Sequence, residues 1–177
     1  NGVLGMLIFV FAEVMFMTAL VSAFLIIKSG HSVWPPLDQP RLPVESTGFN
    51  TFVLLLSGVL LFVANLKFSK DQKSQATKFT TLSMLLGLFF VCAQGYEWIG
   101  LIGYGLTMTS SAFGSFFYMI IGIHALHAIG AIVFLSFIVI RMLNKTITAE
   151  AFHTSQVFWY FVVGIWPILY ALVYLDL

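Results

Sequence analysis

Apolar residues run in five long stretches along the chain, at about 3–27, 49–66, 79–101, 112–140 and 156–175, with few charges inside them and polar segments between. A helix needs about 20 mostly apolar residues to cross a bilayer, and only a helix or a closed barrel can satisfy its backbone there. The pattern predicts an all-α integral membrane protein: one transmembrane domain over 1–177, a bundle of five helices, with no room for a water-soluble domain. The first stretch is too long for a signal-peptide core, has little positive charge ahead of it, and precedes no small-residue cleavage site, so a retained helix is expected. The chain opens at Asn1 rather than Met, and residues preceding it are expected.

The polar segments set the orientation. Lys67, Lys70, Lys73 and Lys78 lie between or beside the second and third stretches, and Arg141 and Lys145 between the fourth and fifth. Short loops rich in Lys and Arg stay in the cytoplasm. The remaining connections carry Lys28 and Arg41 diluted by Asp38 and Glu45, or no charge at all (LIGYGLTMTSS). The expectation is therefore a cytoplasmic N-terminus and an external C-terminus. The outer segment KSGHSVWPPLDQPRLPVESTG, 28–48, holds all but one of the prolines and should be irregular and extended. No internal repeat or low-complexity tract is visible.

Composition adds little beyond this. Hydrophobic residues make up 60% of the chain and charged residues 8%, against roughly 25% charge in a soluble domain. A net charge of +1 points to no nucleic acid or other polyanionic partner. The single cysteine, Cys92, lies inside a span, which excludes disulfides within the chain and paired-cysteine metal sites; it reads as a small core residue. The many aromatic residues, concentrated in VFWYFVVGIWPILYALVYL, suit either a lipid-facing surface with interfacial anchors or contact with another membrane subunit.

Candidate chemistry is confined to Glu13, Glu97, His124 and His127, with the amides Asn65 and Gln94. A mid-membrane carboxyl is costly to ionise, so it keeps its proton or finds a partner inside the bundle. Glu13, about ten residues into its span, is the deepest acid and should face protein, either as a proton-exchanging or lipid-sensing carboxyl or as a neutral acid hydrogen-bonded between helices. Glu97 sits near the outer end of its span, where Trp98 and Tyr104 read as an aromatic belt; it suits pairing with Gln94 one turn back or with an adjacent helix. In IGIHALHAIG, His124 and His127 stand three residues apart on one helix face, with Gly122 and Gly130 permitting close packing. That spacing could chelate a metal, but further ligands at this depth are lacking apart from the two glutamates. Bis-histidine haem needs one histidine from each of two helices, and His31 and His153 are assigned to loops on opposite sides. The reading that remains makes both imidazoles hydrogen-bond partners of buried polar groups, the glutamates among them. Packing of the first helix on the fourth would bring Glu13 to the depth of His124 or His127, and the sequence does not choose between them.

Several separated stretches together resemble subunit III of the cytochrome c oxidase family, which includes the corresponding subunit of quinol oxidases. GMLIFVFAEVMFMTALVSAFL is similar to the family's first shared helix and places Glu13 on its membrane carboxylate. VWPPLDQPRLPVESTGFNTFVLLLSG resembles the outer loop and the start of the next helix, placing Trp34, Pro35, Pro36, Asn50 and Thr51 on motif positions. AQGYEW resembles the family's Gln-Ala-x-Glu-Tyr segment, which carries Gln94 and Glu97, and GIHALHAIG its Gly-x-His-Gly-Leu-His. Full-length members have seven helices, and this chain begins at what would be the third, as in the five-helix bacterial form. In the longer form the first two helices wall a lipid-holding cleft. The last helix has Tyr160, Phe161, Val162 and Val163 where the family usually has His-Phe-Val-Asp, so that His and Asp carry no role over.

The resemblance implies a non-catalytic accessory subunit in a bacterial cytoplasmic membrane. It would pack on subunit I of a haem-copper oxidase, support proton uptake and protect the enzyme during turnover, within a respiratory complex. No cofactor would reside in this chain; haem and copper would belong to subunits I and II, with bound phospholipid compatible. Two other readings stay open: the five-helix accessory protein of nitric oxide reductases, and a small proton-coupled transporter using Glu13 and the histidines as a relay. The Trp-Pro-Pro loop favours the oxidase, and no inverted repeat supports the transporter.

Overall fold

The computed structural model describes residues 2–34, 36 and 40–175. Five helices account for nearly all of them: α1 (Gly2–Ser29), α2 (Val44–Ser69), α3 (Lys73–Gly103), α4 (Ala112–Leu143) and α5 (Ala149–Val173). All five are long and apolar enough to cross a membrane. At 25 to 32 residues each, they extend roughly 38–48 Å, against a hydrocarbon core of about 30 Å. α2, α3 and α5 therefore each begin a turn or more ahead of the apolar stretch that hydropathy marks.

That excess corrects the boundaries read from the sequence. The irregular outer segment is shorter than 28–48, because α2 already begins at Val44. The lysine-rich connection shrinks to a turn at 70–72, in which Asp71 takes a left-handed φ of 55°. His153, assigned to a loop, lies in the second turn of α5, packed against Phe68 and Phe152. Two hydroxyls cap helices whose starts hydropathy alone would blur: Ser111 accepts from Gly114 N at the head of α4, and Thr148 from Ala151 N at the head of α5.

Packing divides the bundle unequally. α2 and α3 form the most extensive pair, α4 and α5 extend it, and α5 also touches α2. Of the other helices α1 packs only on α5 and α4, and among its described residues just Met17 and Phe24 are buried. The core between α2, α3, α4 and α5 is centred on large rings, among them Phe90, Trp159 and Trp166, all essentially inaccessible. Gly87 on α3 lets Trp159 in: a Cβ there would stand 2.2 Å from Cη2 of the indole. At the other end of the core, the connection between α3 and α4 folds onto Gly114 so closely that a Cβ would meet Thr107 O at 2.3 Å.

Two sequence expectations about single residues fail on packing. Cys92 is exposed on the outside of α3 rather than in the core; a small apolar side chain is as much at home against lipid as against protein. Tyr104 is exposed as an interfacial anchor should be. Trp98 instead turns inward onto Tyr118, at 5.7 Å between ring centroids, and against Gly122.

Candidate functional site

Glu13 lies near the middle of α1 and His127 near the middle of α4. Where those helices cross, the His127 Nε2 to Glu13 Oε2 distance is 3.0 Å. Both side chains are largely shielded, at 13% exposure for His127 and 22% for Glu13, with Phe9, Phe158 and Phe161 around the imidazole. The other ring nitrogen, Nδ1, is 2.8 Å from Ile123 O. A carbonyl can only accept, so Nδ1 carries a hydrogen. Two arrangements of the contact without net charge follow: a protonated carboxyl donating to Nε2, or Nε2–H donating to a carboxylate. Both have zero net charge, and they differ only in which end of a 3.0 Å contact holds one proton. The Ile123 carbonyl, one turn back on α4 itself, thus orients the ring and fixes which nitrogen faces Glu13.

His124 goes elsewhere. Three residues correspond to about 300° of helical rotation, enough to turn one imidazole towards α1 and the other into the core. His124 is 1% exposed, lies 4.8 Å from the Trp166 ring and 6.3 Å from Phe90, and its Nε2 has no hydrogen-bond partner within the protein. The expectation that both histidines bond buried polar groups such as the glutamates is therefore corrected for His124, which serves as an aromatic-like wall. It borders a small cavity of about 160 Å³ between α3 and α4 that Gln94 and Trp98 also line. Each of the three contributes a buried polar atom lacking a protein partner. Asn65, the other amide considered, likewise leaves its Oδ1 buried and unpartnered.

Around this core the Asn-Thr pair at the start of the second span stitches helices together. Asn50 Nδ2 donates to Phe90 O on α3 at 3.1 Å, and Thr51 Oγ1 accepts from Trp166 Nε1 on α5 at 2.8 Å. Trp34 pins the connection between α1 and α2 by edge-on contacts with Phe24 on α1 and Phe113 on α4. Pro36 is half-buried, whereas Pro35 lies outside the described residues.

Glu97 forms a separate knot near the C-terminal end of α3. One of its oxygens accepts from the Ser46 hydroxyl, and the other from Thr47 Oγ1 at 2.8 Å and Gln94 Nε2 at 3.2 Å. Gln94 Nε2 also reaches Tyr174 Oη at 3.0 Å, and Tyr170 donates to Val44 O. Burial first, and the Glu97 carboxylate second, hold the Tyr174 phenol well above its usual pKa, so it keeps its proton. The carboxylate thus ties the ends of α2, α3 and α5. Sequence reasoning missed Ser46, Thr47, Tyr174 and Trp166; the polar run ESTGFNT just ahead of an apolar span is the signal that could have found the first two.

Among the described residues, no group of three or more His, Cys, Asp and Glu side chains comes together as a metal ion would require. What the arrangement offers is a two-residue proton-sharing contact in apolar surroundings and a hydrogen-bonded helix clamp.

The family description "Cytochrome c oxidase subunit III" matches residues 2–176. The chain belongs to the cytochrome c oxidase subunit III family. A Drosophila yakuba cytochrome c oxidase subunit 3 is 32% identical over 96% of this chain and 67% of its own length. A probable cytochrome c oxidase subunit 3 of Nocardia farcinica is 30% identical, with 96% of this chain and 85% of the relative covered. That of Thermostichus vulcanus is 28% identical, covering 98% and 86%. As a subunit III, the chain is a multi-pass membrane protein and an accessory subunit of a haem-copper oxidase.

Proposed function

We propose that this subunit III packs on subunit I of its oxidase in a bacterial cytoplasmic membrane, and supports proton uptake and stability during oxygen reduction through the Glu13–His127 contact. The lysine-bearing ends of α2, α3 and α4 would face the cytoplasm, with the N-terminus on that side and the C-terminus outside. Haem and copper would reside in subunits I and II. The observation that supports this reading most is the 3.0 Å carboxyl–imidazole pair in mid-membrane. A carboxyl and an imidazole in hydrogen-bond contact can pass a proton between them, which purely structural bridging does not require.

Substituting Glu13 in the assembled oxidase tests the reading. Glu13→Gln keeps shape and an N–H donor for His127 Nε2 but cannot exchange a proton. Glu13→Ala leaves the imidazole without its partner, at a cost of about 1–3 kcal/mol. If the pair is protonic, Gln slows turnover or shifts its pH dependence while subunit content stays normal. If Gln behaves as wild type and only Ala loosens the subunit, the role is structural and the protonic part of the proposal fails. If neither change alters assembly, turnover or the rate of inactivation, Glu13 has neither role.

A further inference from the structure

Six of the eight Lys and Arg side chains gather at one end of the bundle, where Lys67, Lys70, Lys73, Lys78, Arg141 and Lys145 outnumber Asp71 and Glu150. A groove of about 670 Å³ opens there between the start of α3 and the end of α4. We propose that this groove is a binding site for an anionic phospholipid, its headgroup phosphate held by Lys78 and Lys145 and its acyl chains laid against α3 and α4.

The polarity of the groove changes in one direction along a single helix face. Ser74, Thr77 and Lys78, Thr81 and Leu82, and then Leu85 follow one another at three- and four-residue steps and all line it. Cationic and hydroxyl groups come first, a mixed turn next, and leucine last. From Lys73 to Leu85 this covers about 18 Å, in the same order as the headgroup, ester and acyl zones of a phospholipid lying parallel to the helix. Across the groove, α4 contributes Met142 and Leu143, followed in the next turn by Lys145. Leu82, Leu85 and Leu143 are exposed, at 45%, 49% and 66%.

The two lysines assigned to the phosphate are not committed elsewhere. Lys73 has an exposed contact with Asp71 at 3.4 Å; among the described residues, neither Lys78 nor Lys145 lies within ion-pair distance of a carboxylate. A zwitterionic headgroup would bring its own cation to this cluster, whereas an anionic one brings complementary charge alone, which is why the class of lipid is specified. Free phosphate would satisfy the lysines and leave the leucines unused.

The test uses the intact oxidase in phosphatidylcholine nanodiscs doped with phosphatidylglycerol, or with phosphatidylcholine, bearing a photoactivatable acyl chain. Crosslinked peptides are mapped by mass spectrometry. Phosphatidylglycerol should label 74–85 and 142–145 several-fold more than phosphatidylcholine does. Lys78→Gln with Lys145→Gln should lower that labelling about 25-fold, fivefold for each basic group at an anionic surface, whereas Lys78→Arg with Lys145→Arg should retain it. Equal labelling by the two lipids, no labelling of these segments, or an unchanged signal in the glutamine pair would overturn the proposal. So would suppression by inorganic phosphate beyond that by chloride at equal ionic strength, which would make this a site for the free anion. Should the glutamine pair fail to assemble, the arginine pair and the wild-type lipid preference decide.

Discussion

Gly87→Ala puts one methyl group into the most tightly closed part of the core. The new Cβ would stand 2.2 Å from Trp159 Cη2 and 2.6 Å from Cζ2, where ordinary contact begins at 3.4 Å, an overlap of about 1.2 Å. Trp159 is 0% exposed, so its ring cannot swing into lipid, and relief requires α3 and α5 to separate. Overpacking of this kind costs typically 1–3 kcal/mol; with no escape for the ring we expect about 3. Trp159→Phe removes the benzo atoms that clash, and alone costs a fraction of the roughly 3–5 kcal/mol of a full truncation to Ala. In the double variant the methyl occupies space the indole has vacated, so the pair should be at least about 1 kcal/mol more stable than the two single costs added together. Reversible unfolding in mixed dodecyl sulfate and maltoside micelles supplies all four corners of the cycle. A Gly87→Ala protein as stable as wild type, or costs that simply add, would show that the indole does not fill the notch at Gly87.

Two further outcomes are checked more simply. Ser74→Cys, in a Cys92→Ala background, should resist an impermeant maleimide applied to intact cells and react once the membrane is opened; labelling from outside would reverse the proposed orientation. Thr51→Val keeps the shape of the side chain but strands the buried Trp166 N–H, and should cost about 1–3 kcal/mol in the same micelle titration, while Thr51→Ser stays near wild type.

The five spans were legible because lipid forces the backbone into helices and forces the helices to be apolar, so hydropathy carries the fold class directly. Their ends were not, since the last turns at Lys67–Ser69, Lys73–Thr77 and His153 are polar helix that no apolar run marks. The depth of Glu13 and of the two histidines could be counted along the sequence. The choice of His127 could not, because it depends on the angle at which α4 faces α1, and three residues of spacing hide a 60° difference in direction. His124 was misjudged for the same reason: a flat imidazole between Phe90 and Trp166 does not announce itself as packing. Glu97 was read through Gln94, one turn away on its own helix, whereas its hydroxyl donors came from α2, a relation only tertiary packing creates.

The packing of α1 sets a timetable for biogenesis. α2 and α3 are neighbours in sequence and form the most extensive pair, so that hairpin can close as soon as it leaves the translocon. α1 meets only α4 and α5, the last helices to be synthesised, and must wait in lipid alone for more than a hundred residues of synthesis. Its mean hydropathy of 2.3 lets it wait, but Glu13 spends that interval without its imidazole. Chains arrested before α4 therefore display an unpartnered acid in mid-bilayer, a mark by which a membrane protease could tell an unfinished subunit from a finished one.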